Sequence, residues 1–190
     1  MTSSRSTGTG TQMAKAIADL EQLRPESANL ETFFAKLART LRVSRHEVAV
    51  LRIEKNCLRF IYPAELRDAG FLPLSGSAVA ARTATTRSPL LSNAFAKVRH
   101  VSLFESVKLD GKAEEDEPRQ LPIQKIISVP IAGPEGRVLG VIQLSRKGLD
   151  PSLAGSDFTS DDLKLVEKAA QILAGMPFMQ EDAALEAAAE

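Results

Sequence analysis

The stretch Lys125–Lys147, KIISVPIAGPEGRVLGVIQLSRK, limits the possible folds more than any other part of the chain. Two β-rich runs, Ile126–Ile131 and Val138–Leu144, flank the breaker-rich AGPEGR. This pattern predicts an antiparallel hairpin with a loop longer than the tight two-residue kind. Side chains alternate across a strand, so Ile127, Val129 and Ile131 share one face while Ile126, Ser128 and Pro130 share the other. In the second run Val138, Gly140, Ile142 and Leu144 oppose Leu139, Val141 and Gln143, which makes it apolar on both faces. Such a strand needs cover on both sides: helices on one, and a further helix or a ligand on the other.

At 190 residues the chain is long enough for one domain with a real core and too short for two ordinary ones. Hydrophobic residues make up 44% and charged residues 25%, which excludes disorder as the overall state. Lys plus Arg and Asp plus Glu are both 24, so no basic excess argues for nucleic acid as a partner. The single cysteine, Cys57, closes no internal disulfide and builds no cysteine-based zinc site. The N-terminus MTSSRSTGTGTQ lacks the apolar core of a secretory signal, and no window approaches the about 20 apolar residues that span a bilayer. A cytoplasmic protein with no membrane and no nucleic-acid partner is expected.

Taken in order, residues 1–10 read as a flexible leader. A helix is predicted over Thr11–Leu23, with Met13, Ala16, Ile17, Leu20 and Leu23 on one face, stopped by Arg24-Pro25. A second helix, capped by Ser27, buries Leu30, Phe33, Phe34, Leu37 and Leu41. HEVAVLRIEK and CLRFIYP read as strands joined at Lys55-Asn56. FLPLSGSAVAARTATTRSP passes from an edge strand marked by Pro73 into a helix capped by Ser75 or Ser77, with Ala78, Val79 and Ala81 on its apolar face, and PLLSN forms a short strand. From Ala94 to Gln124 the signals weaken. Val98, Val101, Leu103 and Phe104 seek burial, and the segment reads either as cover for a binding site or as an insertion. FTSDDLKLVEKAAQILAG is the best-marked helix: Thr159 and Asp162 form a capping box, Phe158 and Leu163 a hydrophobic staple, and Gly175 then Pro177 end it. Its apolar stripe is wider than docking on one sheet face requires. One domain over 11–176 and an Ala/Glu-rich tail over 177–190 follow.

These residues resemble a GAF domain. The resemblance is carried by FLPLSGSAVAARTATTRSPLLSN, IISVPI, GRVLGVIQLSRK and FTSDDLKLVEKAAQILA, and covers roughly Leu30–Leu173. It implies an α+β, GAF/PAS-like fold: a central antiparallel sheet of about six strands, terminal helices on one face and a loop-covered pocket on the other. It also implies a stand-alone sensory module, because the flanks are too short for an output domain, and a homodimer through the terminal helices.

Each activity known in the family asks for particular residues. The Asn-Lys-Phe-Asp-Glu signature of cyclic-nucleotide binders is missing, and Cys57 lies in an early strand rather than where a bilin attaches. Relatives that reduce free methionine sulfoxide resolve a sulfenic acid with a second thiol, which one cysteine does not supply. His46 and His100 are weighed as axial haem ligands against plain surface residues. The acidic run Glu114–Glu117 lacks the spacing of a calcium loop. Catalytic residues, metals and cofactors are therefore not expected. Ser75, Gly76 and Ser77 at a strand-to-helix junction offer donors to an anion or carbonyl, or merely cap the helix. Ser128 and Gln143 are polar in central strands and take their partner from water, a side chain or a ligand. Together with Phe71 and Phe104 these make the expected ligand site; in a ligand-free module Phe71, Val101 and Phe104 would fill the pocket instead. The expected function is a non-enzymatic regulatory module that binds a small molecule and acts on a signalling protein. A ligand-free interaction module, its pocket filled by side chains, is the alternative, with a methionine sulfoxide reductase-like enzyme behind it.

Overall fold

The computed structural model describes residues 7–22, 30–97 and 121–180. Six strands make one sheet: β1 (Val48–Glu54), β2 (Cys57–Tyr62), β3 (Phe71–Pro73), β4 (Leu90–Ser92), β5 (Ile123–Ala132) and β6 (Val138–Lys147). Their spatial order is β3-β2-β1-β6-β5-β4, and every neighbouring pair is antiparallel. The predicted hairpin is β5–β6, longer than expected at both outer ends and placed near the centre of the sheet.

One face carries the main core. α2 (Leu30–Leu41) buries Phe33, Phe34, Leu37, Ala38 and Leu41, the residues that one stripe of a 3.6-residue period selects. The Phe34 ring lies 4.2 Å from that of Tyr62 on β2. α4 (Ser160–Ala174) buries Leu165, Val166, Ala169, Ala170 and Leu173, and its N-terminus carries the predicted capping box: Asp162 N–H donates to Thr159 Oγ1 at 3.1 Å, and Thr159 N–H donates to Asp162 Oδ2 at 2.7 Å. α1 (Thr7–Gln22) lies against both, through buried Leu20 and the ion pairs Glu21–Lys168 at 2.8 Å and Asp19–Lys36 at 3.2 Å. The extra width of the α4 stripe thus meets α1 within the same chain. The helix begins at Thr7, four positions before the predicted Thr11, because adding residues to a formed helix gains one hydrogen bond each without a new nucleus. Leu23, the Arg24-Pro25 stop and the Ser27 cap lie outside the described residues.

Two buried cations tie this layer together. Arg146 on β6 donates from Nη2 to Leu41 O at 3.0 Å and from Nη1 to Arg42 O at 3.1 Å, satisfying carbonyls that the end of α2 leaves open. Its guanidinium also stacks on Phe158, 4.6 Å from the ring centroid. Lys125 on β5 pairs with Asp157 at 2.8 Å and donates to Gly155 O at 2.6 Å, which fixes the approach to α4. Beyond α4, Met176 and Met179 are buried, and Arg52 Nη1 donates to Phe178 O at 2.6 Å. Core packing therefore continues into the first residues of the predicted tail; residues 181–190 lie outside the described range.

The alternation expected in β6 needs one correction. Leu139 joins the helix-side core with Ile142 and Leu144, whereas Val138 packs with Val141 on the opposite face. The β5–β6 register jumps from Ile131↔Gly140 to Ala132↔Val138, so Leu139 is the extra residue of a bulge. Gly140 permits it: a Cβ there would stand 2.1 Å from Leu51 O and 2.8 Å from Met179 Cε.

The other face is covered by α3 (Val79–Thr86), which buries Val79, Ala80, Ala81, Thr83 and Ala84. With Ala78 it packs over Ala49, Leu51, Leu58, Phe60, Leu72 and Val141. The residue that caps α3 is Ala78 (φ −59°, ψ 142°), without a side-chain cap bond. The predicted caps Ser75 and Ser77 are one or more positions too early, because the turn after β3 closes with Gly76 N–H donating to Pro73 O at 2.9 Å.

Candidate ligand site

The α3 sequence VAARTATT places one hydroxyl among alanines on the side that meets the sheet. Thr83 is buried, with its Oγ1 2.8 Å from Ser128 Oγ on β5. Gln143 on β6 is the cross-strand partner of Ser128 in the hairpin register, and its Nε2 donates to Ser128 Oγ at 3.1 Å. The three side chains form a continuous polar chain from the sheet into the helix. A buried polar group without a partner costs about 1–3 kcal/mol, so each holds the others in place.

Beside Thr83 a groove of about 250 Å³ runs between α3 and β4. Val79, Pro89 and Leu90 give it apolar walls, while Arg82, Thr83, Thr86 and Ser88 line it with polar groups. Thr86 Oγ1 donates to Arg82 O at 2.8 Å and Ser88 Oγ donates to Thr86 O at 3.1 Å, so their hydroxyl protons are spent on the backbone and their lone pairs remain as acceptors. The exposed Arg82 guanidinium makes no ion pair among the described residues. A groove with a guanidinium donor, hydroxyl acceptors and apolar walls matches a small polar molecule better than a wholly apolar one. Leu90 pairs with Ser128 across β4–β5, which sets the groove directly beside the polar chain.

The residues expected to make a ligand site are only partly brought together. Ser128 and Gln143 are adjacent and bonded to each other, their partner being a side chain, Thr83. Ser75 and Ser77 are exposed and Gly76 is half-buried in the turn that follows β3. Phe71 is also on β3, four strand spacings or about 19 Å from β5. Leu72 faces α3, so Phe71 points to the opposite face, where Arg59 lies 5.9 Å from its ring centroid. Phe104, His100 and the run Glu114–Glu117 lie outside the described residues. Arg82, Thr83 and Thr86 were missed by the sequence reading; a lone Thr in the Ala-rich stripe was the available signal.

Among the described residues, the other titratable ones weighed from the sequence lie apart from the groove. His46 sits exposed in the turn before β1, its backbone N–H donating to Ser44 Oγ. Cys57 is half-buried at the start of β2, and alternation with Leu58 turns it away from the α3 face. No group of three or more His, Cys, Asp or Glu side chains gathers as metal ligands among the described residues, and no helix among them is long and apolar enough to cross a membrane.

Known structures share this arrangement. The GAF domain of a phosphoenolpyruvate-protein phosphotransferase from Coxiella burnetii superposes with a TM-score of 0.65 at 12% identity, covering 92% of this chain and 98% of its own. The GAF domain of the Acinetobacter phosphoenolpyruvate-protein phosphotransferase gives 0.64 at 11% identity, covering 92% and 97%. A free methionine-R-sulfoxide reductase from Neisseria meningitidis, solved in complex with its substrate, gives 0.62 at 16% identity, covering 96% and 98%. At these identities the likeness is one of fold, and the fold houses sensors and enzymes alike. No curated protein matches the sequence closely enough to count as a relative. The sequence profile of the GAF domain matches residues 27–175, most of the chain, and with the six-stranded antiparallel sheet and its helices this places the protein in a family generally made of small-molecule-binding signalling modules: the chain belongs to the GAF domain family.

Proposed function

We propose that the chain is a non-enzymatic regulatory GAF module that takes a small polar molecule in the groove between α3 and β4. The observation that carries this reading is the buried Thr83–Ser128–Gln143 chain, whose helix end lines the groove. A ligand that engages Thr83 or Arg82 bears on the seating of α3 over β5 and β6, and a difference in affinity between two seatings is what converts occupancy into a signal to a partner protein. The single cysteine supports the non-enzymatic reading, since a thiol-based reductase cycle asks for a second thiol.

Homodimerisation through α1 and α4 belongs to the same proposal. Ile17, Leu163 and Ile172 are only half-buried in one copy, and a second copy would cover the remainder. Native mass spectrometry of the purified protein tests both parts. A co-purifying small molecule that is lost in Thr83→Val, with the circular dichroism spectrum unchanged, is the expected result. Protein free of any small molecule, with no metabolite raising its melting temperature, favours the ligand-free interaction module instead. A monomer at micromolar concentration removes the dimer.

A further inference from the structure

The direction of the hydrogen bonds in the buried chain decides what the groove presents to a ligand. Gln143 Nε2 donates to Ser128 Oγ, so the Ser128 proton has to go to another acceptor. Ser128 is fully buried, and its other partner among the described residues is Thr83 Oγ1 at 2.8 Å. Ser128 therefore donates to Thr83, and Thr83 accepts. Thr85 and Thr86 turn their own protons onto α3 carbonyls, those of Ala81 and Arg82. Thr83 makes no such bond among the described residues, so its Oγ1–H stands without an acceptor on the wall of the groove. A buried donor in that state calls for an acceptor from outside the chain.

Arg82 adds a second donor. Val79, Arg82, Thr83 and Thr86 recur at the three- and four-residue spacing of one helix stripe, which is why all four meet the groove. The exposed Arg82 guanidinium has no ion pair or side-chain hydrogen bond among the described residues, and it is the one charged side chain among those that line the groove. Two donors on neighbouring residues, one of them cationic, fit a carboxylate, which accepts at both oxygens.

The rest of the lining asks for the opposite polarity. Thr86 and Ser88 spend their protons on the carbonyls of Arg82 and Thr86, so toward the groove they are acceptors. Thr83 and Thr86 lie on neighbouring turns with Cβ atoms about 5–6 Å apart, so the carboxylate and the donor belong to one short chain. An ammonium as that donor would meet no carboxylate in the groove and would sit beside Arg82, whereas a hydroxyl brings no charge to desolvate. A space of about 250 Å³ admits a molecule of a few carbons, with Val79, Pro89 and Leu90 covering its apolar part.

We propose that the groove selects a small hydroxy acid. Its carboxylate accepts from Thr83 Oγ1 and the Arg82 guanidinium, its hydroxyl donates to Thr86 or Ser88, and its apolar end lies on Val79 and Leu90. The proposal rests on the groove being the ligand site and adds the polarity of what fills it.

Four probes on one carbon skeleton test it, followed by amide chemical shifts in the full-length protein. They are 2-hydroxy-3-methylbutanoate, 3-methylbutanoate without the hydroxyl, 2-hydroxy-3-methylbutanamide without the charge, and valine with an ammonium for the hydroxyl. The hydroxy acid is expected to shift Thr83, Thr86 and Leu90 at the lowest concentration, with 3-methylbutanoate about fivefold weaker and the amide and valine about tenfold weaker. Arg82→Gln, at an exposed position, should cost the hydroxy acid about tenfold and abolish its preference over the amide. Thr83→Ser should keep that preference and Thr83→Val reduce it. Tighter binding of the amide or of valine at the same residues would mean that the chain runs the other way, with Thr83 donating inward, and would overturn the hydroxy acid while leaving the groove as the ligand site. A preference unchanged in Arg82→Gln would do the same. No shift from any probe would also overturn the hydroxy acid, and the native mass spectrum of the purified protein then decides separately whether the groove holds a different molecule.

Discussion

The helices that cover the two faces of the sheet present different kinds of side chain. Under α2 and α4, Phe33, Phe34, Leu37, Ile142 and Leu144 are fully buried, and large side chains fill the space between helix and sheet. Under α3 the cover is Ala78, Ala80, Ala81 and Ala84 around Thr83. Short side chains bring the helix close to the sheet without filling its flanks, so cavities remain on either side of it: the groove against β4 and the chamber at the hairpin end. Hydrophobic stabilisation scales with the apolar area buried, which puts most of it on the first face. The second face carries the neutral Thr83–Ser128–Gln143 chain, whereas the polar groups buried on the first are the cations Arg146 and Lys125. The comparison teaches that one sheet can be covered in two ways, the large side chains of α2 and α4 filling the space above it and the small ones of α3 leaving room.

The largest expected effect belongs to the first face. Phe34→Ala removes a ring that packs on Tyr62 and Phe33, and should cost about 3–5 kcal/mol of unfolding free energy in urea. A cost no larger than that of a polar substitution under α3 would erase the difference between the faces. Tyr62 gives an internal reporter, since the chain has one Tyr and no Trp. Burial first, and then the charge of Glu31, holds its phenol above the ordinary value. The folded state therefore keeps that proton more tightly than the unfolded chain. The resulting stability is fully present below the unfolded pKa of about 10 and is lost as pH rises through the folded value. Phenolate absorbance during alkaline titration should show a late transition in the native protein and an earlier one in Phe34→Ala.

A smaller effect is expected from the polar chain on the second face. Ser128→Ala leaves Thr83 Oγ1 and Gln143 Nε2 without their common partner, at a cost of about 1–3 kcal/mol. Pairing it with Thr83→Val should cost less than the sum of the two single changes, because the three groups act as one network. Additive costs in a double-mutant cycle would show that the chain is three separate contacts, and would weaken its link to the groove.

Much of this architecture was legible in the sequence. The hairpin, the strand pair at Lys55-Asn56 and the α2 stripe follow from periodicities of two and 3.6, which are local properties of the chain. The exchange of Val138 and Leu139 between faces was not legible, because the bulge exists where Gly140 meets Leu51 O on a strand nearly ninety positions away in sequence. The candidate site was half legible. Ser128 and Gln143 stand out as polar residues in apolar strands, and the hairpin register makes them neighbours. Their partner Thr83 could not be assigned, since no local pattern says which side of α3 lies on β5. Phe71 was misplaced for a related reason: the sequence gives its alternation but not the order of strands, and β3 proves to be the edge farthest from β4.

The smallest effect separates the ends of the two helices that cover the faces. α4 starts with a reciprocal cap in which Thr159 and Asp162 each accept from the other's backbone N–H, whereas α3 starts at Ala78 with no side-chain cap. Thr159→Ala should therefore lower stability by about 1 kcal/mol, the usual cost of a lost N-cap. Ser77→Ala should stay within about 0.5 kcal/mol, as for other exposed positions without a structural bond. Urea midpoints of the two variants, at unchanged slope, measure the contrast directly. A loss at Ser77 equal to that at Thr159 would mean that the serine caps α3 in solution, holding its first turn as firmly as that of α4. The α3 face would then owe its shape to a local cap as well as to the Thr83–Ser128 contact. If only Thr159 matters, α3 is fastened chiefly by what it packs on, and a ligand beside Thr83 acts on the bond that seats it.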